Sequence, residues 1–184
     1  TTEEGPEKTI NAVKKKLMID IMMINAIGPA LLLKHFCNKL DKTKFSVFVN
    51  LSARVGSITD NRLGGWISYR SSKAALNQII KTSSIEINRR NKNAICVGLH
   101  PGTVKTSFTE KFQNSTKTIS PEESVEMMMK VIQQYIYMIH PPCLQTKFIH
   151  LVIIQVLING MQTAQPQMHA LIIGKNLRCS PRPP

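Results

Sequence analysis

Three consecutive segments limit the folds that this chain can adopt. Residues 45–51 (F-S-V-F-V-N-L) and 94–99 (A-I-C-V-G-L) are short, apolar and rich in strand-forming residues. Between them, residues 71–90 carry apolar side chains at helical spacing. A strand, a helix and a strand in this order make a right-handed crossover, so the strands are parallel and their carboxyl ends share one edge. We therefore predict an α/β fold that binds its ligand at that edge.

Two further helices flank this unit. In residues 8–40 the apolar positions fall mostly three or four apart, which predicts one long amphipathic helix that Gly28-Pro29 should bend. A later helix is indicated by Ser120 as the N-cap, Pro121 in the first turn, and Glu122-Glu123 near the positive end of the helix dipole.

The composition changes near residue 130. All 11 acidic residues lie at or before Glu126, whereas the 58 residues that follow contain five Lys+Arg and no Asp or Glu. The helical pattern also weakens beyond Gln134. We predict one domain over residues 1–134 and an atypical, poorly ordered tail over residues 135–184, to which the sequence assigns no role.

The basic charge of the chain fits several classes of partner. The 24 Lys+Arg and 11 Asp+Glu give a net charge of +13, which would attract a nucleic acid, an acidic membrane or a phosphorylated cofactor. A nucleic-acid-binding module would interleave aromatic residues with a basic patch, yet aromatic content is 5% and no such motif occurs. We expect no nucleic-acid partner.

Membrane and metal chemistry are not indicated either. The longest apolar run, residues 148–158, is too short to span a bilayer, and the polar residues 1–7 do not resemble a signal peptide. The four cysteines are widely spaced, with no histidine pair at ligand spacing, so we predict free thiols and no metal site. We expect no membrane partner and an intracellular, reducing compartment, the cytoplasm ahead of an organelle.

Tyr69 and Lys73 lie four residues apart at the start of the central helix, so they share one face. A phenol with a pKa near 10 exchanges protons poorly at neutral pH, but a neighbouring cation lowers that pKa. Tyr69 is thus a candidate general acid/base. By itself, a Tyr and a Lys four residues apart occur more often by chance on an amphipathic helix than as a catalytic pair.

Longer motifs surround the pair in a fixed order. They are V-N-L-S-A-R-V-G-S-I-T-D-N-R-L-G-G-W, Y-R-S-S-K-A-A-L-N and H-P-G-T-V-K-T. Together they resemble the short-chain dehydrogenase/reductase family, in its C-factor-like branch, from about residue 8 to 130. The resemblance implies a Rossmann fold, a doubly wound parallel sheet, and transfer of a hydride between a nicotinamide and a carbonyl or alcohol.

The same resemblance assigns roles to individual residues. Tyr69 protonates the carbonyl oxygen during reduction, while Lys73 lowers the Tyr69 pKa and binds the nicotinamide ribose. Asn25 matches the family asparagine that holds a water in a proton relay with the lysine. Without the other motifs, Asn25 would be read as a polar residue on a helix surface.

This chain has no serine at the position of the family serine that binds the substrate oxygen. It is the second Ser of S-S-x-x-G, and this chain has Ala53 at that position. Ser52 or Ser57 could substitute, and we favour Ser57 because Ser52 should point to the opposite face of its strand from residue 53. Loss of such a donor is costly if nothing replaces it.

The resemblance also identifies the segment that packs against the nicotinamide. It includes Pro101, Gly102, Val104 and Thr106, of which Val104 offers backbone groups to the carboxamide and Thr106 a hydroxyl. In isolation these residues would be a common strand-ending turn. Their position after the second strand, on the same edge as Tyr69, favours the cofactor role.

The dinucleotide half of the family fold is not recognisable. No G-x-x-x-G-x-G or G-x-G-x-x-G follows a strand. We therefore predict a partial Rossmann fold that lacks the N-terminal half. We expect NADP or NAD as cofactor, with NADP slightly favoured, a small carbonyl or alcohol as substrate, and a homodimer through the two long helices. The alternative is a truncated, catalytically silent member that only binds a partner or has no function.

Overall fold

The computed structural model describes residues 6–106, 109 and 118–139, with the side chains of 135–139 left out. Four α-helices and two strands form most of this part of the chain, joined in part by short 3-10 turns and a π-helical stretch. In order they are α1 Lys15–Met22, α2 Gly28–Phe36, β1 Ser46–Leu51, α3 Ile67–Arg90, β2 Ala94–Leu99 and α4 Pro121–Ile139.

The two strands pair in parallel, as the sequence predicts. The register runs from Ser46 opposite Ala94 to Leu51 opposite Leu99. Beyond the strand, the Ser52 amide donates to the Leu99 carbonyl at 2.7 Å. Both carboxyl ends therefore lie together, and α3 carries the chain from the carboxyl end of β1 back to the amino end of β2.

Side chains of alternate parity along β2 enter two different cores. Ala94 and Cys96 pack with Leu33, Leu76 and Ile80 of the helices. The alternate residues of β2, Ile95, Val97 and Leu99, enter the second core. There they pack against residues of α4: Met128, Val131 and Ile132. All six β2 residues are buried, which agrees with their nearly continuous apolar sequence.

The long first helix differs from the prediction for residues 8–40. It begins at Lys15, and it is interrupted by a π-helical stretch at Met23–Ile27, just before α2. The Gly28 amide donates to the Met23 carbonyl five residues back. Pro29 has no amide hydrogen to donate to the Asn25 carbonyl four residues back, which explains why regular α-helical bonding fails there. The irregularity thus lies on Asn25 itself rather than at Gly28-Pro29.

Much of the apolar face of α1, the π-helical stretch and α2 is exposed. The exposed side chains are Ile19, Met23, Ile24, Ile27, Leu31, Leu32 and Phe36. The helical segment Lys15–Lys39 is long and apolar enough to cross a membrane by length and composition alone, a test that a core helix of a soluble protein also passes. Leu17, Ala26 and Leu33 on the other face are buried.

The predicted domain boundary falls inside α4, which continues to Ile139. Ser120 caps this helix as predicted, since its Oγ accepts a hydrogen bond of 3.1 Å from the Glu123 amide. Residues 140–184 lie outside the described residues, so the atypical tail stays a prediction.

Candidate active site

The N-terminus of α3 lies at the carboxyl edge of the sheet and carries the Tyr69 and Lys73 pair. The chain enters α3 through Gly64, Gly65 and Trp66, all in the left-handed region, with φ of 65°, 64° and 54°. The helix starts at Ile67, before residue 71 where its apolar spacing begins, so Tyr69 lies in its first turn as the sequence predicts. An ordinary side chain such as Trp66 rarely takes this conformation, which marks the turn as strained.

A carboxylate from the start of the chain caps this helix. Glu7 is 5% exposed, and it accepts hydrogen bonds from the Ser68 hydroxyl and from the Ser68 amide, the latter at 3.3 Å. The Glu7 carbonyl also accepts a hydrogen bond from the Trp66 amide. A negative charge at a helix N-terminus is favourable, so Glu7 fixes the turn that presents Tyr69. No local pattern points to Glu7, because its partner Ser68 is 61 positions away.

Tyr69 and Lys73 are brought together as the spacing predicts. The Lys73 Nζ lies 5.8 Å from the centroid of the Tyr69 ring. It donates a hydrogen bond of 3.1 Å to the carbonyl oxygen of Leu51, the last residue of β1. The ammonium therefore joins the helix to the strand end, and Lys73 is buried although it is a lysine.

The pKa of Tyr69 departs from the expectation that Lys73 lowers it. Burial raises the Tyr69 pKa above its ordinary value of 10.0, and burial also lowers the pKa of Lys73. The physical reason is that both groups leave water for the protein interior, which disfavours the charged form of each. In this structure Tyr69 is a protonated phenol at neutral pH, the state that a proton donor needs.

Asn25 lies in the π-helical stretch and reaches α3 rather than solvent. Its Nδ2 donates to the Ser72 Oγ at 3.1 Å, and that hydroxyl donates to the Tyr69 carbonyl oxygen at 2.8 Å. Asn25 is therefore linked through one side chain to the backbone between Tyr69 and Lys73. Ser72, fully buried, was missed by the sequence analysis.

The loop after β1 holds the serines that could replace the family serine. The Ser52 Oγ donates to the Asn77 Oδ1 of α3 at 2.6 Å, consistent with its predicted position on the opposite face from Ala53. The Ser57 Oγ lies 3.3 Å from the Thr59 Oγ1 and accepts a bond of 3.3 Å from the Asp60 amide. Both hydroxyls thus have partners within the protein.

The segment after β2 is anchored from two sides. Gly102 has a φ of 80°, which only glycine adopts readily, and Val104 forms a parallel bridge with Ile119. The Ser124 Oγ of α4 donates to the Pro101 carbonyl oxygen at 2.6 Å. These contacts hold the strand-ending turn beside the carboxyl edge, where the resemblance places the nicotinamide.

Thr106 lies at the exposed end of this segment. Its amide donates to the Thr109 Oγ1 at 2.9 Å, and that hydroxyl donates to the Val104 carbonyl oxygen at 2.6 Å. The Val104 carbonyl therefore already accepts one hydrogen bond. Its second lone pair is the group that a carboxamide could use.

Among the residues that the structure describes, no group of three or more His, Cys, Asp or Glu is placed to hold a metal ion. Within the same part of the chain Cys37 and Cys96 are free thiols. At the sheet edge, Tyr69, Lys73 and their neighbours offer groups for proton transfer and hydrogen bonding.

Comparison with known sequences agrees with this geometry. The family model for short chain dehydrogenases matches residues 4–117. An uncharacterized oxidoreductase of Schizosaccharomyces pombe is 32% identical over 145 residues, covering 72% of this chain and 53% of that protein. The C-signal protein of Myxococcus xanthus is 32% identical over 109 residues, covering 59% and 62%. The chain therefore spans roughly half of the length of these relatives.

Solved structures give the same result. A short-chain dehydrogenase/reductase from Burkholderia multivorans with bound NADP superposes with a TM-score of 0.62 at 28% identity, covering 73% of this chain and 55% of that one. An NADPH-bound carbonyl reductase from chicken fatty liver superposes with a TM-score of 0.59 at 32% identity, covering 71% and 55%. The described residues thus have the α/β architecture of part of a Rossmann fold, and the chain belongs to the short-chain dehydrogenase family.

Proposed function

We propose that the protein to which this chain belongs is an NAD(P)-dependent oxidoreductase that interconverts a small carbonyl compound and its alcohol, with Tyr69 as the general acid/base. The observation that carries the proposal is the Lys73 ammonium, held by the Leu51 carbonyl at the sheet edge and 5.8 Å from the Tyr69 ring. Parallel sheets bind their ligands at this edge.

Tyr69 acts as the acid in the reducing direction. Its raised pKa keeps the phenol protonated at neutral pH, so it has a proton to give when negative charge develops on the carbonyl oxygen. Lys73 stabilises the phenolate that remains, since its cation lies over the ring. In the oxidising direction the same phenolate would accept the alcohol proton.

Asn25 positions this pair rather than touching the substrate. Through Ser72 it fixes the backbone on which Tyr69 and Lys73 stand. The π-helical stretch leaves the Asn25 carbonyl without a donor from Pro29, so this carbonyl is the group we assign to the relay with Lys73.

The residues present fit the nicotinamide end of a dinucleotide. Gly102 turns the backbone without a Cβ that would obstruct the nicotinamide. Val104 offers a carbonyl and Thr106 a hydroxyl to the nicotinamide. Lys73 offers an ammonium to the ribose. When bound, the nicotinamide supplies or accepts the hydride. The NADP and NADPH in the two similar structures, together with the net charge of +13, support NADP ahead of NAD.

A homodimer through the long helices is part of the proposal. The two long helices are the one predicted over residues 8–40 and α3. Exposed apolar residues of the first, such as Ile24, Leu31 and Phe36, are a surface that a second copy would cover. Analytical ultracentrifugation tests this by comparing the parent with Leu31→Lys, which should shift the protein towards the monomer. A parent that sediments as a monomer would contradict the dimer without affecting the catalytic proposal.

Reduction assays on the natural full-length protein test the activity. We expect NADPH-dependent reduction of para-nitrobenzaldehyde, followed by loss of NADPH fluorescence. Lys73→Met should lower kcat by about 100-fold or more, because Tyr69 then has no cation to stabilise its phenolate. Lys81→Met, a change on the same helix but away from the site, is the control. Equal rates for Lys73→Met and the parent would contradict the proposal.

A further inference from the structure

Trp66 is a bulky residue in a backbone conformation that such residues rarely adopt. Its φ of 54° and ψ of 42° lie in the left-handed region, which glycine or asparagine would occupy with less strain. Strain of this kind is concentrated at functional sites, where a particular side chain is needed at that position. The proposed mechanism does not yet use the Trp66 ring.

The turn at Trp66 is held by backbone contacts that do not involve its side chain. The Trp66 amide donates to the Glu7 carbonyl oxygen, and the Trp66 carbonyl oxygen accepts a hydrogen bond of 2.8 Å from the Arg70 amide. The Arg70 Nε donates to the Gly65 carbonyl oxygen at 3.0 Å. Because other residues at position 66 offer the same amide and carbonyl, these contacts do not explain why this residue is a tryptophan.

The ring of Trp66 contacts the ring of Tyr69. Their centroids are 6.2 Å apart and their planes meet at 73°, an edge-to-face arrangement that aromatic pairs prefer. The Lys73 Nζ lies 5.8 Å from the centroid of the same Tyr69 ring. Tyr69 therefore has an aromatic neighbour that precedes it in the chain and a cationic neighbour one helical turn after it.

The direction of α3 decides which of these neighbours lies towards the sheet. The helix starts at the carboxyl edge and carries the chain back to the amino end of β2. The Lys73 ammonium is accordingly bonded to Leu51 at the end of β1, whereas Trp66 lies at the outward end of the helix. A carbonyl group bound at Tyr69 thus has Lys73 on its inner side and the Trp66 indole on its outer side.

The Trp66 indole is suited to an apolar ligand. The residue is only partly exposed, so it combines a fixed position against Tyr69 with ring surface that a ligand can cover. A flat indole offers a large contact area to an aromatic ring, whereas a short alkyl chain covers little of it. The expected complement is therefore a substrate with an aromatic ring beside its carbonyl group.

We propose that Trp66 is a specificity-determining residue, whose indole binds the aryl substituent of an aromatic aldehyde or ketone while the carbonyl oxygen lies at the Tyr69 hydroxyl. This inference rests on the proposed function, because it names the substrate class of the same site. During reduction the carbonyl carbon accepts a hydride from reduced nicotinamide, and its oxygen accepts the Tyr69 proton. Trp66 exchanges no proton or electron and acts only by binding the ring.

Steady-state kinetics of the full-length protein with NADPH and two aldehydes test the assignment. Trp66→Ala should raise the KM of para-nitrobenzaldehyde by about 10-fold, with a smaller change in kcat. The KM of propanal, whose ethyl group covers little of a ring, should change by less than about 2-fold. A tryptophan that only positions Tyr69 would lower kcat for both aldehydes alike, so equal effects on the two substrates overturn the proposal.

Matched variants separate the ring from the rest of the helix. Trp66→Phe keeps an aromatic side chain and should retain most of the preference for the aryl aldehyde; a KM as high as in Trp66→Ala contradicts a role for the ring. Ile85→Ala removes an exposed apolar side chain from the distant half of α3 and should leave both KM values unchanged.

Tyr69→Phe distinguishes failure of this inference from failure of the proposed function. If Tyr69→Phe loses the reduction of both aldehydes and Trp66→Ala keeps the aldehyde preference of the parent, only the role of Trp66 fails. If Tyr69→Phe reduces both aldehydes as fast as the parent, the proposed function fails.

Fluorine NMR measures the contact without turnover and in the parent protein itself. The full-length protein is labelled with 5-fluorotryptophan, and the Trp66 resonance is identified by its loss in Trp66→Phe. Addition of para-nitrobenzyl alcohol to the NADP-loaded protein should shift this resonance, whereas propanol should leave it nearly unchanged. A Trp66 resonance that the aryl alcohol does not shift, even at its solubility limit, overturns the proposal.

Discussion

Gly56 packs directly on the backbone of Lys73. A Cβ added at Gly56 would lie 2.7 Å from the Lys73 carbonyl carbon and 2.8 Å from its oxygen, closer than real Cβ contacts. The glycine of the S-A-R-V-G loop therefore lets the loop touch the helix at the residue that carries the ammonium. This contact positions the end of β1 against α3.

Gly56→Ala should accordingly force the loop away from the helix. We expect a loss of about 1–3 kcal/mol in the free energy of unfolding, the usual cost of overpacking, measured by urea denaturation. Activity should fall as well, because the Lys73 bond to Leu51 depends on the same contact. Gly64→Asn is the control: Gly64 has open space around it, and Asn tolerates its φ of 65°. Equal stability of Gly56→Ala and the parent would contradict this account.

The cap on α3 gives a second prediction. Glu7→Gln removes a buried carboxylate that accepts two hydrogen bonds from Ser68. We expect a loss of about 1.5–3 kcal/mol in the free energy of unfolding, since hydrogen bonds to charged groups contribute that much. Glu86→Gln breaks only an exposed pair with Arg90 and should cost less than about 0.5 kcal/mol. Similar losses in both variants would show that Glu7 does not cap the helix.

Prediction from sequence succeeds where the signal is local. The strands β1 and β2, their parallel pairing and the cap at Ser120 follow from short apolar runs and from residue types at fixed spacing. The apolar spacing of α3 begins only at residue 71, whereas the helix begins at Ile67, where the distant Glu7 binds Ser68 in the first turn. The π-helical stretch at Asn25 is also missed, because the apolar spacing across it stays helical.

For the site, too, the sequence predicts local features but not contacts between distant residues. The spacing of Tyr69 and Lys73 predicts their proximity, but not that burial raises the Tyr69 pKa, since burial depends on how distant segments pack. Ser124 of α4 holds the site by its hydrogen bond to the Pro101 carbonyl oxygen, and Ser72 holds it by a hydrogen bond to the Tyr69 carbonyl oxygen within α3. The sequence does not indicate the surroundings of His100, and only the folded chain shows its ring partly buried beside Arg54 and Lys73.

The lowered pKa of His100 predicts how stability depends on pH. Above pH 6.5 the histidine is neutral in both the folded and the unfolded chain. Between 6.5 and about 4 the unfolded chain binds a proton that the folded chain does not, so the free energy of unfolding falls as the pH falls through this window. The loss between pH 7 and about pH 5 should reach up to about 2 kcal/mol.

Urea unfolding of the parent and of His100→Gln at a series of pH values measures this loss. Other titrating groups contribute equally to both proteins, so the difference in slope isolates His100. The variant should lose less stability on acidification. Parallel curves for the two proteins would mean that the imidazole is not buried among the charges of Arg54 and Lys73.

Cofactor binding by the 184-residue chain itself gives a further prediction. The sequence contains no glycine-rich turn for a pyrophosphate, and the residues that fit a nicotinamide make few contacts. We expect NADPH fluorescence to show no saturation in the micromolar range when the purified chain is titrated. A carbonyl reductase of the same family is the positive control. Micromolar affinity would contradict this expectation and place a phosphate site among the residues of this chain.

The most direct test of the central claim is the effect of Tyr69→Phe on NADPH-dependent carbonyl reduction by the full-length protein. The substitution removes one oxygen atom and keeps the ring beside Lys73 and Trp66. If Tyr69 donates the proton, kcat should fall by about 100-fold or more, while the melting temperature stays close to that of the parent. Unchanged turnover in a folded Tyr69→Phe protein would contradict the role of Tyr69 and the function proposed from it.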